Sequence, residues 1–195
     1  DSTKFPSFDM AYATSLGGSF DRFVIAQVRS HATLEDLLTS TDTYVDAHLA
    51  PAFGVTPPTP RSWLKLAVDR SRASGLLAQP LLLATSAHPT EPSFVFRGRM
   101  VEKRLLCAEF GTPPANALSV LENAPRPANP TARQVAATIE SNATCGGCHR
   151  VLDPPGLAFE RYDAIGRYRE TDDLGRAIDT RGAMIGLGDE PVPFD

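Results

Sequence analysis

Three features of the 195-residue chain predict a mainly α fold, a helical subdomain followed by a second small helical domain with irregular, proline-rich connections. Apolar residues recur at helical spacing in windows that open on a capping residue, above all Phe20 to Val28, Phe94 to Cys107 and Val135 to Ile139. Seventeen prolines fall largely between those windows, where they break helices and argue against a plain helical bundle. The third window runs straight into Cys145-Gly146-Gly147-Cys148-His149.

In chain order, residues 1–18 read as irregular, punctuated by Pro6 and Gly17-Gly18. Ser19 or Asp21 then caps a helix whose apolar positions are Phe20, Phe23, Val24 and Val28. Thr33 with Asp36 forms a capping-box pair ahead of Leu34, Leu37 and Leu38. Asp42 caps a third helix over Tyr44, Val45, His48 and Leu49, ended by Pro51 and Gly54. His31 and His48 have no ligand partners nearby in sequence and read as helix residues.

Pro57, Pro58 and Pro60 mark a connector over residues 55–62, the clearest subdomain boundary. Trp63, Leu64, Leu66 and Val68 alternate around Lys65 and Ala67 as a short strand or irregular core segment would. Residues 75–83 are apolar and contain Pro80, which predicts a bent helix. His88 lies in a polar loop and is held extended by Pro89. The window Phe94 to Cys107 predicts a long amphipathic helix, with Val95, Met100, Val101, Leu105 and Leu106 inward and Arg97, Arg99, Glu102, Lys103 and Arg104 in solvent. Residues 111–130 form a second proline-rich linker, after which Thr131 and Gln134 make a capping box.

The cysteine pair carries the chemistry. A C-x-x-C-H run lets each thiol add to one vinyl group of a single porphyrin, while the adjacent imidazole becomes the proximal iron ligand. Gly146 and Gly147 let the backbone curl against a flat edge. These residues predict one covalent haem c on Cys145 and Cys148, with His149 ligating the iron, in a small cytochrome c-like helical domain whose motif ends a helix. Pro154, Leu157, Phe159 and Tyr162 supply apolar and aromatic surface for its wall. Two other readings use the same residues: a zinc site built from Cys107, Cys145, Cys148 and His149, and a thioredoxin-like redox dithiol, which requires the pair to open a helix after a strand, whereas here a helical pattern precedes it and Asp153-Pro154-Pro155 follows. For the sixth iron position Met184 is the one methionine after the motif, His88 is its rival, and an open iron is the third case. Cys107 reads as a buried free thiol or as half of a disulfide to a part of the protein outside this chain.

A net charge of −4 offers no footprint for nucleic acid or for an anionic membrane surface. No apolar run reaches the roughly 18 residues of a membrane span. The function classes left are an electron-transfer cytochrome, a haem enzyme of peroxidase or oxygenase type, and a haem-stapled structural or interaction module, with the first preferred.

The stretch from Gly75 onward resembles an exported bacterial family of unknown function that is associated with planctomycete-type cytochrome c domains. The resemblance rests on Gly75-Leu76-Leu77, Thr85-Ser86, Ser93, Arg97-Gly98 and Leu105-Leu106-Cys107, and most of all on the run from Cys145 through Asp153-Pro154, Gly156 to Glu160, and Tyr162 to Tyr168 as far as Ile178-Asp179. It implies that residues 1–56 are the C-terminal end of a companion domain and that 57–195 are the haem-binding domain. It also implies haem, export to the periplasm or cell surface, and contact with an upstream part of a longer parent protein or with other subunits; the electron-transfer reading adds a redox partner protein. It implies no established reaction.

Overall fold

The first helix, α1, spans Met10–Arg29, and Asp9 caps it by accepting the Tyr12 N–H at 2.8 Å. It begins nine residues before the expected Ser19, because Gly17-Gly18 lies inside it and does not break it. The reason is contact: a Cβ on Gly18 would sit 2.8 Å from the Trp63 ring, so the missing side chain makes room for that indole. Arg22, one turn on, lies over the same ring at 4.0 Å. The computed structural model that shows this describes residues 1–72, 75–125 and 127–194, in two compact units: Asp1–Pro92 with Tyr162–Arg169, and Ser93–Arg161 with Glu170 onward.

In the first unit α2 (Leu34–Thr39) carries the expected capping box, with the Thr33 hydroxyl accepting from the Asp36 N–H and the Asp36 carboxylate accepting from the Thr33 N–H. The expected third helix is instead a strand, β1 (Asp42–Val45), paired antiparallel with β2 (Leu64–Ala67) so that Asp42 faces Ala67 and Val45 faces Leu64. Thr43, Tyr44 and Val45 suit a pleated surface, and alternation buries Thr43 and Val45. The proline-rich connector is the excursion between these two strands. Gly54, at φ +67, ends the short 3-10 turn Ala50–Phe53 in the left-handed conformation. Pro80 bends the next segment as expected, between the 3-10 turn Gly75–Ala78 and α3 (Pro80–Thr85). Phe5, Tyr12, Leu16, Val45, Leu49 and Ala50 form the core, completed by Ala164 and Ile165.

The second unit is built on α4 (Phe94–Arg104), α5 (Ala117–Glu122), α6 (Ala132–Ser141) and α7 (Gly146–Leu157), with a hairpin of β3 (Gly182–Met184) and β4 (Val192–Phe194). The α4 and α6 helices and β3 all pack on α7. Phe94, Ala136, Ile139 and Leu157 make its core. A mainly α, cytochrome c-like chain is therefore not what forms. Each unit carries a small antiparallel sheet, and the chain is mixed α/β. Among the described residues no helix is long and apolar enough to cross a membrane.

The outward face expected for α4 is also corrected. Its buried stripe is Phe94, Arg97, Gly98, Val101 and Glu102, so two charged residues lie inside. These positions recur at i, i+3, i+4, i+7 and i+8, the spacing of one helix face. Gly98 at its centre is where α7 comes closest, and the residues beside it are buried whatever their polarity. Arg97 is accommodated because its guanidinium donates to the Phe159 carbonyl at 2.7 Å.

Candidate functional site

The cysteine motif opens a helix and does not end one. Asn142 stops α6 and builds the turn: its side-chain oxygen accepts the N–H groups of Thr144 at 2.9 Å and Cys145 at 3.2 Å, and its carbonyl accepts that of Gly146 at 2.8 Å. Gly146 is required there, since a Cβ would lie 2.2 Å from the Glu140 carbonyl oxygen. Gly147 faces open space, with nothing within 4 Å of where a side chain would begin.

Cys145 is the N-cap of α7, and Cys148, His149 and Asp153 follow at i+3, i+4 and i+8, which places all four on one face. Cys145 is half-buried against the core of this unit and Cys148 is exposed. His149 turns Nδ1 onto Asp153, 2.9 Å from one carboxylate oxygen and 3.0 Å from the other. Asp153 is fully buried; burial raises its pKa, and the bond and charge of His149 oppose that rise. The imidazole keeps a quarter of its side-chain surface, and its hydrogen bonds run through Nδ1, so Nε2 is the nitrogen left to a ligand. A ring held at Nδ1 by a carboxylate is the arrangement of metal-binding histidines.

The remaining expected residues separate. Pro154 sits inside α7, where it and Pro155 lack the N–H groups that would pair with the carbonyls of Arg150 and Val151. Leu157 is core and Phe159 is buried just beyond the helix. Tyr162 belongs to the first unit, where its ring meets Tyr168 edge-on at 5.7 Å and its hydroxyl donates to the Arg72 carbonyl. Met184 ends β3 half-buried, on a hairpin that packs on α7. It is thus on a paired strand, opposite Val192, and not on the loose segment its flanking glycines suggested. His88 is exposed in the first unit, its backbone N–H bonded to the Glu91 carbonyl. Cys107 lies past the end of α4 at φ +56 and is exposed, not buried. Among the described residues no three His, Cys, Asp or Glu side chains converge, so Cys107, Cys145, Cys148 and His149 do not assemble the four-ligand set a zinc site needs.

Two features were missed in sequence. Asp153 could have been found from the His-x-x-x-Asp spacing, which pairs side chains one helical turn apart. The second is a nine-residue repeat, Tyr162-Asp163-Ala164-Ile165-Gly166-Arg167 followed by Thr171-Asp172-Asp173-Leu174-Gly175-Arg176. Each copy is the same tight hairpin: the aspartate accepts two backbone N–H groups and the arginine Nε, at 2.8 Å in the first and 2.7 Å in the second. The glycines stand at φ +80 and +77, a region only glycine enters freely.

Residues 73–172, half of the chain, match the family described as PSCyt3, a protein of unknown function (DUF1588). The chain belongs to the PSCyt3 family. The matched stretch takes in α4, α6, α7 with its cysteine motif, and the first of the two hairpins. The PSCyt3 description assigns no reaction. No curated protein and no solved structure matches this chain.

Proposed function

We propose that this PSCyt3 domain carries one covalent haem c on α7 and serves as a one-electron carrier in an exported protein or complex. The observation that carries the reading is the fully buried Asp153 holding Nδ1 of His149, on the helix face that also presents Cys145 and Cys148. Each thiol would add S–H across one vinyl group, so nothing leaves and the chain gains one whole haem. His149 Nε2 would ligate the iron, and the bare backbone at Gly147 leaves space beside the motif. When bound, the group supplies a one-electron iron couple whose potential is set by axial ligands and burial. Covalent anchoring suits an exported carrier, because the group cannot dissociate outside the cell. We place the protein in the periplasm or at the cell surface, with a redox partner protein and the rest of a longer parent chain or other subunits beside it. Met184 is our sixth ligand.

A second reading is favoured by one observation: the C-x-x-C pair opens a helix, as in a redox dithiol, although here that helix follows α6 and not a strand. Intact-mass spectrometry of the denatured protein, made in a host that matures c-type haem, separates the two. The haem reading expects one added haem that survives acid extraction. An unmodified mass that falls by two hydrogens on oxidation and returns with reductant overturns it in favour of the dithiol.

A further inference from the structure

We propose that Asp153 is the positioning residue of this site: its buried carboxylate fixes His149 in the Nδ1–H tautomer, presents Nε2 outward, and keeps the iron's reduction potential low. This rests on the haem reading above and goes beyond it, because it names the group that sets the potential.

The geometry is local and rigid. His149 and Asp153 are one helical turn apart on α7, both carboxylate oxygens lie at 2.9 and 3.0 Å from Nδ1, and the carboxylate has no exposed surface. The segment holding Asp153 is locked by its neighbours: the Leu152 carbonyl lies under Gly98 of α4, and Gly156 lies against the Phe94 carbonyl, contacts too close for any side chain. The backbone that carries Asp153 therefore cannot shift away from His149 without separating α4 from α7.

Two effects then act in the same direction. A carboxylate accepting the Nδ1 proton makes the ring a stronger donor at Nε2, which favours ferric over ferrous iron. Its negative charge, set where water does not screen it, stabilises the more positive oxidation state by simple electrostatics. The consequence is a carrier tuned to give up its electron to acceptors of higher potential.

The test is Asp153→Asn in the haem-loaded protein, which keeps an acceptor of the same shape and removes the charge. Haem content is read first, by intact mass, and the midpoint second, by spectroelectrochemical titration. We expect full haem content and, at a fixed potential, an oxidised-to-reduced ratio at least tenfold lower than in the wild type, a midpoint rise of about 59 mV or more for a one-electron couple. A haem-loaded variant whose midpoint rises less than this, or falls, overturns the proposal and leaves the haem reading standing. A wild type without haem overturns both at the mass measurement. Should the variant not fold or not load, the reduced wild type decides through NMR of 15N-labelled histidine. A proton on Nδ1 of His149 in slow exchange with water supports the proposal, and a proton that exchanges at the solvent rate overturns it.

Discussion

Gly98 of α4 and Gly156 of α7 meet backbone to backbone: a Cβ on the first would lie 1.8 Å from the Leu152 carbonyl oxygen, and one on the second 1.8 Å from that of Phe94. This crossing seats α7, and with it the face bearing Cys145, Cys148, His149 and Asp153. It also decides which side of α4 is buried.

Replacing either glycine by alanine forces the two backbones apart. Each of Gly98→Ala and Gly156→Ala is expected to cost about 3 kcal/mol or more, since neither neighbour is a side chain that can rotate away. Gly147→Ala in the haem-free protein is the contrast: it meets open space inside a helix and is expected to stabilise by up to about 1 kcal/mol. Urea denaturation of the three variants measures both signs.

Glu102 is 3 % exposed near the C-terminal end of α4, and its Oε1 has no hydrogen-bond partner. Burial raises its pKa above the ordinary glutamate value. An acid whose folded pKa is raised takes nothing from stability below its unfolded value. Its cost grows as pH climbs through the folded value and is complete above it. Glu102→Met is therefore expected to stabilise the protein by about 1–3 kcal/mol at neutral pH, with the gain shrinking as the pH falls from the raised folded value to the ordinary glutamate range and levelling off below it. Thermal unfolding across that pH range checks the sign. A gain that widens toward acid pH would refute the argument.

Met184 is held on a paired strand, opposite Val192, in a hairpin whose first strand packs on α7. If it ligates the iron, Met184→Ala in the haem-loaded protein removes the weak sulfur-to-iron band at the red edge of the ferric spectrum and lowers the midpoint potential, because thioether ligation raises it. A wild type lacking the band, or a variant retaining it, assigns the sixth position to another group.

Much of the local structure was legible in the residues alone. The capping boxes at Thr33–Asp36 and Thr131–Gln134 form as read, because they depend on two side chains and four consecutive backbone groups. The bend at Pro80 follows from local chemistry in the same way, whereas the stretch after Trp63, open between a short strand and an irregular segment, is made a strand by its pairing with Asp42–Val45. The Cys145-Cys148-His149 spacing is likewise a local property, and α7 places the three on one face as that spacing requires. The stretch Asp42 to Leu49 was not legible. Its apolar spacing fits a helix turn as well as a strand, and its partner Leu64–Ala67 lies beyond a proline-rich excursion.

What only the tertiary structure decided is where charge can be buried and where glycine is a contact. Helical periodicity puts Arg97 and Glu102 in solvent by default, since it reads polarity and knows nothing of the facing helix. The Gly98–Gly156 crossing overrules it, because two backbones in van der Waals contact bury whatever flanks them. The same holds for Gly18: local propensity reads Gly17-Gly18 as a break, and the Trp63 ring turns Gly18 into a contact inside α1. The sequence alone determined the reactive groups and their spacing. Their setting, with Asp153 sealed from water behind His149, came from the close approach of α4 to α7, a contact between helices some fifty residues apart in sequence.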